Sequence, residues 1–239
     1  TRINANASFI RSLEKLLQSD ESYKMSFDSL KQTGILTSPD NAFRMITWNL
    51  PSNDETHKYY CYIQANNKKK KKYQAYKLTD RSEEVSSPEK KIFRSENWFG
   101  ALYYQIIPFS TKGKTYYALL GWDGNNSMTK KKIIDFLYFE NNGEPRFGAD
   151  VFQMGNTNQK RIIFEYSSKV VMSLKYHKER KQIVFDHLSP SQPEMEGMYQ
   201  YYGPDFSYDA FELENGKWVY KEDVDARLDD SNPVYNPEI

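Results

Sequence analysis

Two clusters of polar side chains carry the residue types best suited to chemistry in this chain of 239 residues. The first follows an apolar run, and its candidate binding residues are Trp122, Asp123, Asn125 and Asn126. Carboxylate and amide oxygens could bind a sugar hydroxyl or a calcium ion, with the indole ring as a stacking surface. The calcium-loop signature is missing, because the acidic residues do not alternate and no closing glutamate follows. A tight turn that needs left-handed backbone conformations explains the same residue types, and this structural interpretation is favoured.

The second cluster begins at the end of a predicted strand. Its candidate residues are Asp186, His187, Asp205, Tyr208 and Asp209. A histidine beside carboxylates could perform general acid–base work. Asp186 and His187 are neighbours on a strand, however, so their side chains point to opposite faces and Asp186 does not orient the imidazole. No base–nucleophile pair accompanies them, which favours a strand-end pair satisfied by backbone groups.

Metal, cofactor and covalent chemistry find little support in the motifs. The three histidines, His57, His177 and His187, are far apart, and no zinc-binding spacing occurs. Neither a nucleophile elbow nor a glycine-rich phosphate loop is present. We therefore predict no metal site and no cofactor, and the sequence assigns no catalytic residue. The single cysteine, Cys61, rules out an intramolecular disulfide and is expected to be a small buried hydrophobe.

The charge balance argues against nucleic acid as a partner. Lys plus Arg number 33 and Asp plus Glu number 32, whereas a nucleic-acid protein needs a basic excess. The lysine runs at 68–72 and 130–132 are expected to be solvated hairpin ends that discourage edge-to-edge pairing. An acidic-polymer surface is the alternative interpretation. No segment has the length of a transmembrane helix.

The secondary-structure elements that would position these candidate residues are mostly strands. Between Phe43 and Tyr220 short runs alternate with turns rich in Gly, Asn, Pro or Lys, which predicts a mainly β fold: a large antiparallel meander of hairpins, barrel-like or two-sheet. A propeller-like arrangement is the alternative. One or two short helices precede the strands, the second over Tyr23 to Leu30. The domains expected are a helical segment at 1–34, the β domain at 35–222 and an acidic extended tail at 223–239.

Several pairings follow from the turn residues. Trp98 to Ile107 and Thr115 to Trp122 predict one hairpin, and Asn141-Asn142-Gly143 predicts a second. Arg161 to Tyr166 is predicted to pair with Val170 to Tyr176 through two serines. Within another predicted strand the period of two places three apolar residues on one face and two tyrosines on the other, namely Tyr59, Cys61 and Ile63 against Tyr60 and Tyr62.

Five segments that span most of the chain carry a resemblance. They are Phe27-Asp28-Ser29-Leu30, Ser38-Pro39-Asp40-Asn41 followed by Phe43-Arg44 and Trp48, Tyr117-Ala118-Leu119-Leu120-Gly121-Trp122-Asp123-Gly124, Pro145-Arg146-Phe147-Gly148, and Tyr202-Gly203-Pro204-Asp205. In these segments the chain resembles uncharacterised exported proteins of Bacteroidetes-type bacteria. The resemblance implies an exported, periplasmic or cell-envelope location, and implies no activity.

Three functional hypotheses remain open. The preferred one is a non-catalytic exported binding or structural protein, with a glycan or protein partner at the cell envelope. The second is a glycan-acting hydrolase, whose two carboxylates would have to face each other across a cleft. The third is a module that binds acidic polymers through its lysine hairpins.

Overall fold

The computed structural model describes residues 1–67, 72–155 and 159–226. The predicted N-terminal helix is present as α1, Arg2–Leu17, and its residues Leu13 and Leu17 are buried. The strands that follow are β1 Gly34–Thr37, β2 Phe43–Pro51, β3 His57–Asn67, β4 Lys72–Thr79, β5 Leu102–Thr111, β6 Lys114–Asp123, β7 Thr129–Phe139, β8 Pro145–Phe147, β9 Phe152–Gln153, β10 Ile162–Ser167, β11 Leu174–His177, β12 Gln182–Pro190, β13 Tyr202–Glu214 and β14 Lys217–Lys221. Short 3-10 helices lie at Asp20–Lys24, Ser82–Glu84, Pro88–Lys90, Ser95–Asn97, Pro193–Met195 and Tyr199–Tyr201.

The second predicted helix, over Tyr23 to Leu30, does not form. Its place is taken by the 3-10 helix Asp20–Lys24 and irregular chain. A tertiary contact explains the difference, because the buried Arg44 guanidinium donates to the carbonyl oxygens of Ser22 at 2.6 Å and Met25 at 3.0 Å. The Ser22 carbonyl also accepts from the Met25 amide at 3.1 Å, which closes the 3-10 turn, and the two carbonyl groups together satisfy a buried cation at the point where the helix ends.

The strands form three sheets, and the predicted mainly β, antiparallel class is confirmed. The first sheet has the order β1-β2-β3-β4, the second β10-β7-β6-β5 with β8 beside β7, and the third β11-β12-β13-β14-β9. Within the described residues they close no barrel, and the division into three differs from the barrel-like or two-sheet arrangement that we expected. The first division falls at the long connection 80–101, which carries three 3-10 helices. One pair, β9 with β14, is parallel, which the meander pattern did not predict.

The short turns were predicted well, and one serine-linked connection was not. β5 pairs with β6 as expected. Asn141-Asn142-Gly143 joins β7 to β8 as expected, but β8 ends at Phe147, whereas we expected the second strand of this hairpin at Phe147 to Phe152. The predicted pairing of Arg161 to Tyr166 with Val170 to Tyr176 is wrong, because β10 pairs with β7 whereas β11 pairs with β12. In this position β10 sets Ile162 opposite Ile134, and both are buried in one core.

The alternation predicted for β3 is confirmed on both faces. Tyr59, Cys61 and Ile63 lie in the core between the first and second sheets, whereas Tyr62 packs in the cluster beneath α1. Cys61 is fully buried, as expected, and burial raises the pKa of its thiol well above the ordinary value. A second core, between the second and third sheets, contains Trp218.

The second lysine run, at 130–132, differs from the solvated hairpin end that we expected. Lys68 to Lys71 lie outside the described residues, as does the tail from 227 onward. Of the second run, Lys132 is 2% exposed and its ammonium lies 5.0 Å from the centre of the Tyr104 ring. Lys131 donates to Asn125 Oδ1 at 3.0 Å. The hairpin register directs these two lysines into the protein rather than to its surface.

Candidate functional site

The loop after β6 uses its carboxylate inside the protein. Asp123 is buried, and its Oδ1 accepts hydrogen bonds from the Tyr59 hydroxyl at 2.8 Å and from the Asn125 amide at 2.7 Å. Burial raises the pKa of the Asp123 carboxyl. Asn125 has a φ of 48°, so the predicted left-handed turn is present. Asn126 Oδ1 accepts from the Thr129 amide at 3.0 Å.

Trp122 belongs to a contact between the first and second sheets. Its ring meets the His57 imidazole edge to face, with centroids 5.8 Å apart. Asn49 Nδ2 donates to His57 Nδ1 at 2.8 Å, and burial lowers the pKa of His57. A side chain at Gly124 would overlap this imidazole, so the close approach requires glycine. The four candidate residues of this loop therefore lie together, and two of them, Trp122 and Asp123, fasten the second sheet to the first.

The second candidate cluster is assembled by a bulge between β12 and β13. Asp186 pairs with Tyr208 and Leu188 with Pro204, so the single residue His187 faces the three residues 205–207. Bulges of this kind bend a strand and redirect its side chains, and they are frequent beside functional sites. The irregularity brings His187 close to side chains from two regions of β13.

His187 lies between two carboxylates. Its Nδ1 is 2.8 Å from Asp209 Oδ2, and its Nε2 is 3.9 Å from Asp205 Oδ2. Asp209 is buried and also accepts from the Tyr220 hydroxyl at 2.7 Å and the Asp223 amide at 3.1 Å. The hydrogen bond to Asp209 raises the pKa of His187, and the charges of both carboxylates add to the effect.

Asp186 and Tyr208 are not part of this group. Asp186 Oδ2 accepts from the Ser173 amide at 2.7 Å, which fastens the segment before β11, and burial raises the pKa of Asp186. Tyr208 is paired with Asp186 across the ladder, and its carbonyl oxygen accepts from the Val224 amide at 2.8 Å. The prediction that Asp186 does not orient His187 is confirmed.

Two residues near His187, Tyr220 and Phe206, were not predicted from the sequence. Tyr220 supplies a hydroxyl to Asp209, although it lies on a different strand that only the β13–β14 register brings near. Phe206 is 93% exposed and has a φ of 72°. A bulky residue in that region of backbone space is an outlier, and no sequence pattern announces it. The 3-10 helix Tyr199–Tyr201 directly precedes β13, and Tyr199, Tyr201 and the neighbouring Met198 are exposed as well.

Within the described residues, no group of three or more histidine, cysteine, aspartate or glutamate side chains is arranged to hold a metal ion. In the same residues, no helix has both the length and the apolar character needed to cross a membrane. Comparison with protein-family models, with curated proteins and with solved structures gives no match to this chain.

Proposed function

We propose that this chain is a non-catalytic carbohydrate-binding protein of the cell envelope, and that it binds its ligand at the His187 surface, defined by His187, Asp205 and Phe206. The observation that carries the proposal is Phe206, an aromatic ring that is 93% exposed and held by a backbone with positive φ. Such a conformation costs free energy and persists when the surroundings impose it. A ring held in solvent gains no stabilisation from core packing. A ligand that stacks on the ring would bury it and explain why it is held at the surface.

The polar groups beside Phe206 suit a sugar. A sugar ring presents C–H groups on its faces and hydroxyls at its edge, and can stack on an aromatic ring while donating to a carboxylate. Asp205 is partly exposed, and its Oδ1 is held by the Ser207 amide at 3.1 Å and hydroxyl at 2.7 Å. His187 Nε2 lies 3.9 Å from Asp205 Oδ2, and the raised pKa of His187 favours the protonated imidazole, which can donate a hydrogen bond. Apolar area with a few fixed polar groups is typical of small-ligand sites.

The same geometry favours binding over hydrolysis. A hydrolase needs its two carboxyl groups on either side of the scissile bond, one to donate a proton and one to attack or to activate water. Here Asp205 and Asp209 flank a single imidazole, and Asp209 is engaged by three donors from the protein. The pair of carboxylates is nonetheless the feature that a glycan-acting hydrolase would use, and the experiment below separates the two.

The location at the cell envelope is supported by the sequence resemblance alone, through segments such as Tyr202-Gly203-Pro204-Asp205, which includes Asp205 of the proposed surface.

The test is Phe206→Gly, measured by glycan-array binding and by denaturant unfolding. Glycine relieves the positive φ, so we expect the free energy of unfolding to stay level or to rise by up to about 1 kcal/mol while binding is lost. Asn215→Gly is the matched control, because Asn215 also has a positive φ, 48°, in the β13–β14 turn. It should leave glycan binding unchanged.

Several outcomes would contradict the proposal. Binding that survives Phe206→Gly would remove the His187 surface as its site, and an array without any bound glycan would remove the ligand class. Products released from a bound glycan, and lost in Asp205→Asn, would favour the hydrolase.

A further inference from the structure

A groove lies between α1 and the end of β2, on a different sheet from the His187 surface. Its volume is about 1000 Å³, at the upper end of the range for small-molecule sites. Three segments form its walls: the first turns of α1, the chain at 29–33, and residues 48–51 at the end of β2.

The charge of the groove is of one sign. Among the described residues that line it are two cations, Arg2 and Lys31, and no carboxylate. Within the part of the chain that the structure describes, no ion pair engages either cation. Two cations without counter-charges beside apolar walls favour a ligand that carries a negative charge.

The floor of the groove has fixed polarity. Trp48 Nε1 donates to Asn6 Oδ1 at 2.8 Å. Since an indole nitrogen can only donate, Asn6 must turn its oxygen toward Trp48, which leaves its amino group to donate elsewhere. Trp48 is buried and held by Phe9, edge to face at 4.9 Å, and by Tyr60, stacked at 5.3 Å. The donor is therefore positioned by a packed aromatic cluster rather than by a mobile surface side chain.

Apolar side chains supply the remaining walls. Phe9, Leu30, Leu50 and Pro51 face the groove together with Ala5, whose small side chain leaves room at the helix surface. A small, entirely hydrophilic anion would contact the cations and leave the apolar walls exposed to water. A ligand with an apolar body and one anionic end would contact both the walls and the cations.

We propose that this groove binds an amphipathic organic anion, with its apolar body along α1 and its anionic end at Arg2, Lys31 and the Asn6 amino group. The ligand class is a carboxylate or sulfonate attached to an aromatic or aliphatic body.

The experiment uses two dyes that share a ring system and differ in charge. Anilinonaphthalene sulfonate is anionic, and N-phenyl-1-naphthylamine is its neutral counterpart. We expect the intact chain to bind the sulfonate more tightly than the neutral dye. The double variant Arg2→Gln with Lys31→Gln should bind the sulfonate about tenfold more weakly, whereas its affinity for the neutral dye should change little. Lys178→Gln, an exposed lysine in the β11–β12 turn, is the matched charge control and should behave as the unaltered chain does.

A second variant tests the walls. Ala5→Leu fills the groove from an exposed helix position that tolerates leucine, so both dyes should bind more weakly. Asn4→Leu, exposed on the same helix and outside the lining, should have no effect. The dyes could also meet the exposed aromatic rings of the third sheet, so each titration is repeated with Phe206→Gly.

Equal affinity for the two dyes, or an affinity for the sulfonate that survives the double variant, would overturn the proposal. So would loss of sulfonate binding on Phe206→Gly with the groove intact. The melting temperature of each variant is compared with that of the unaltered chain. The groove variants should have the same melting temperature, because the substituted side chains are exposed.

Discussion

At the scale of single residues, His187 and its carboxylate partners determine how the proposed binding surface responds to pH. The imidazole is partly exposed, whereas Asp209 beneath it is buried and already accepts two further hydrogen bonds. The pKa of His187 is raised, first by the hydrogen bond to Asp209 and then by the charges of Asp209, Asp205 and Glu222. These carboxylates favour the imidazolium in the folded chain more than in the unfolded one.

The stability that His187 contributes should therefore decline as pH rises. A group whose pKa is higher when folded contributes fully below its unfolded pKa, about 6.5 for histidine, and loses that contribution as pH rises through the folded pKa. We expect the unaltered chain to melt at a higher temperature than His187→Gln. The difference between the two melting temperatures should be largest at about pH 6 or below, under the pKa of histidine in the unfolded chain, and should shrink above neutrality. Thermal unfolding over a pH series measures it.

His57→Gln is the control for this pH series. Burial lowers the pKa of His57, so the stability that His57 contributes should follow the opposite trend with pH. A gap that grows with pH for His187→Gln, or an equal trend for both variants, would contradict the assignment.

Residue types alone indicated part of this surface. A histidine followed by Asp205 and Asp209 suggested acid–base or binding chemistry, and the structure brings these three together. Tyr220 and Phe206 could not be predicted from the sequence. The position of Tyr220 depends on strand register, and the exposure of Phe206 depends on the backbone angle inside a bulge. Local sequence does not encode the partner of a strand or the position at which a ladder loses its register.

At the scale of elements, β3 shows which part of strand packing a sequence determines. The period of two assigned Tyr59 and Tyr62 to opposite faces, and both faces are packed. The identity of the packed neighbour was not accessible. The Tyr59 hydroxyl donates to Asp123 at 2.8 Å and accepts from the Gly124 amide at 2.8 Å, so one phenol joins β3 to the loop after β6.

Removing the Tyr59 hydroxyl should lower the free energy of unfolding more than removing the hydroxyl of a typical tyrosine. Tyr59→Phe leaves the buried Asp123 carboxylate and the Gly124 amide each without one partner, and we expect the free energy of unfolding to fall by about 2 kcal/mol. Tyr60→Phe, on the opposite face of the same strand, should cost less than about 0.5 kcal/mol. Denaturant unfolding measures both. A Tyr59→Phe chain as stable as the Tyr60→Phe chain would show that water replaces the lost hydroxyl.

At the scale of the whole molecule, the turns predict the antiparallel pairing and leave the division into sheets undetermined. Asn-Gly and Lys-Gly pairs act over a few residues, so hairpins such as β5–β6 follow from local chemistry. The choice of β7 as the partner of β10, and the parallel docking of β9 on β14, depend on which apolar faces are left to cover after the hairpins form. Contacts of that kind join segments far apart in sequence, which no local pattern specifies.

The buried ion pair of Asp135 and Arg161 is one such long-range contact, and it ties the loop between β4 and β5 to the second sheet. Both side chains are fully buried, with Arg161 Nε 3.3 Å from Asp135 Oδ2. Arg161 also donates to the carbonyl oxygens of Lys91, at 2.9 Å, and Pro88, and lies over the Phe93 ring at 4.4 Å. The guanidinium thus joins β7, the start of β10 and the 88–93 segment.

Removing one charge of this pair should harm the fold more than removing both. Arg161→Met strands the Asp135 carboxylate in the core, and we expect it to lower the free energy of unfolding by about 3–5 kcal/mol. Adding Asp135→Leu removes the stranded charge, so the double variant should be more stable than Arg161→Met alone, although the Lys91 carbonyl loses its Arg161 donor and the Pro88 carbonyl keeps only the hydrogen bond from the Lys91 amide. Denaturant unfolding of the single and double variants gives the coupling energy. Losses that simply add would mean that the two charges do not interact, and that Arg161 stabilises the molecule through the 88–93 segment alone.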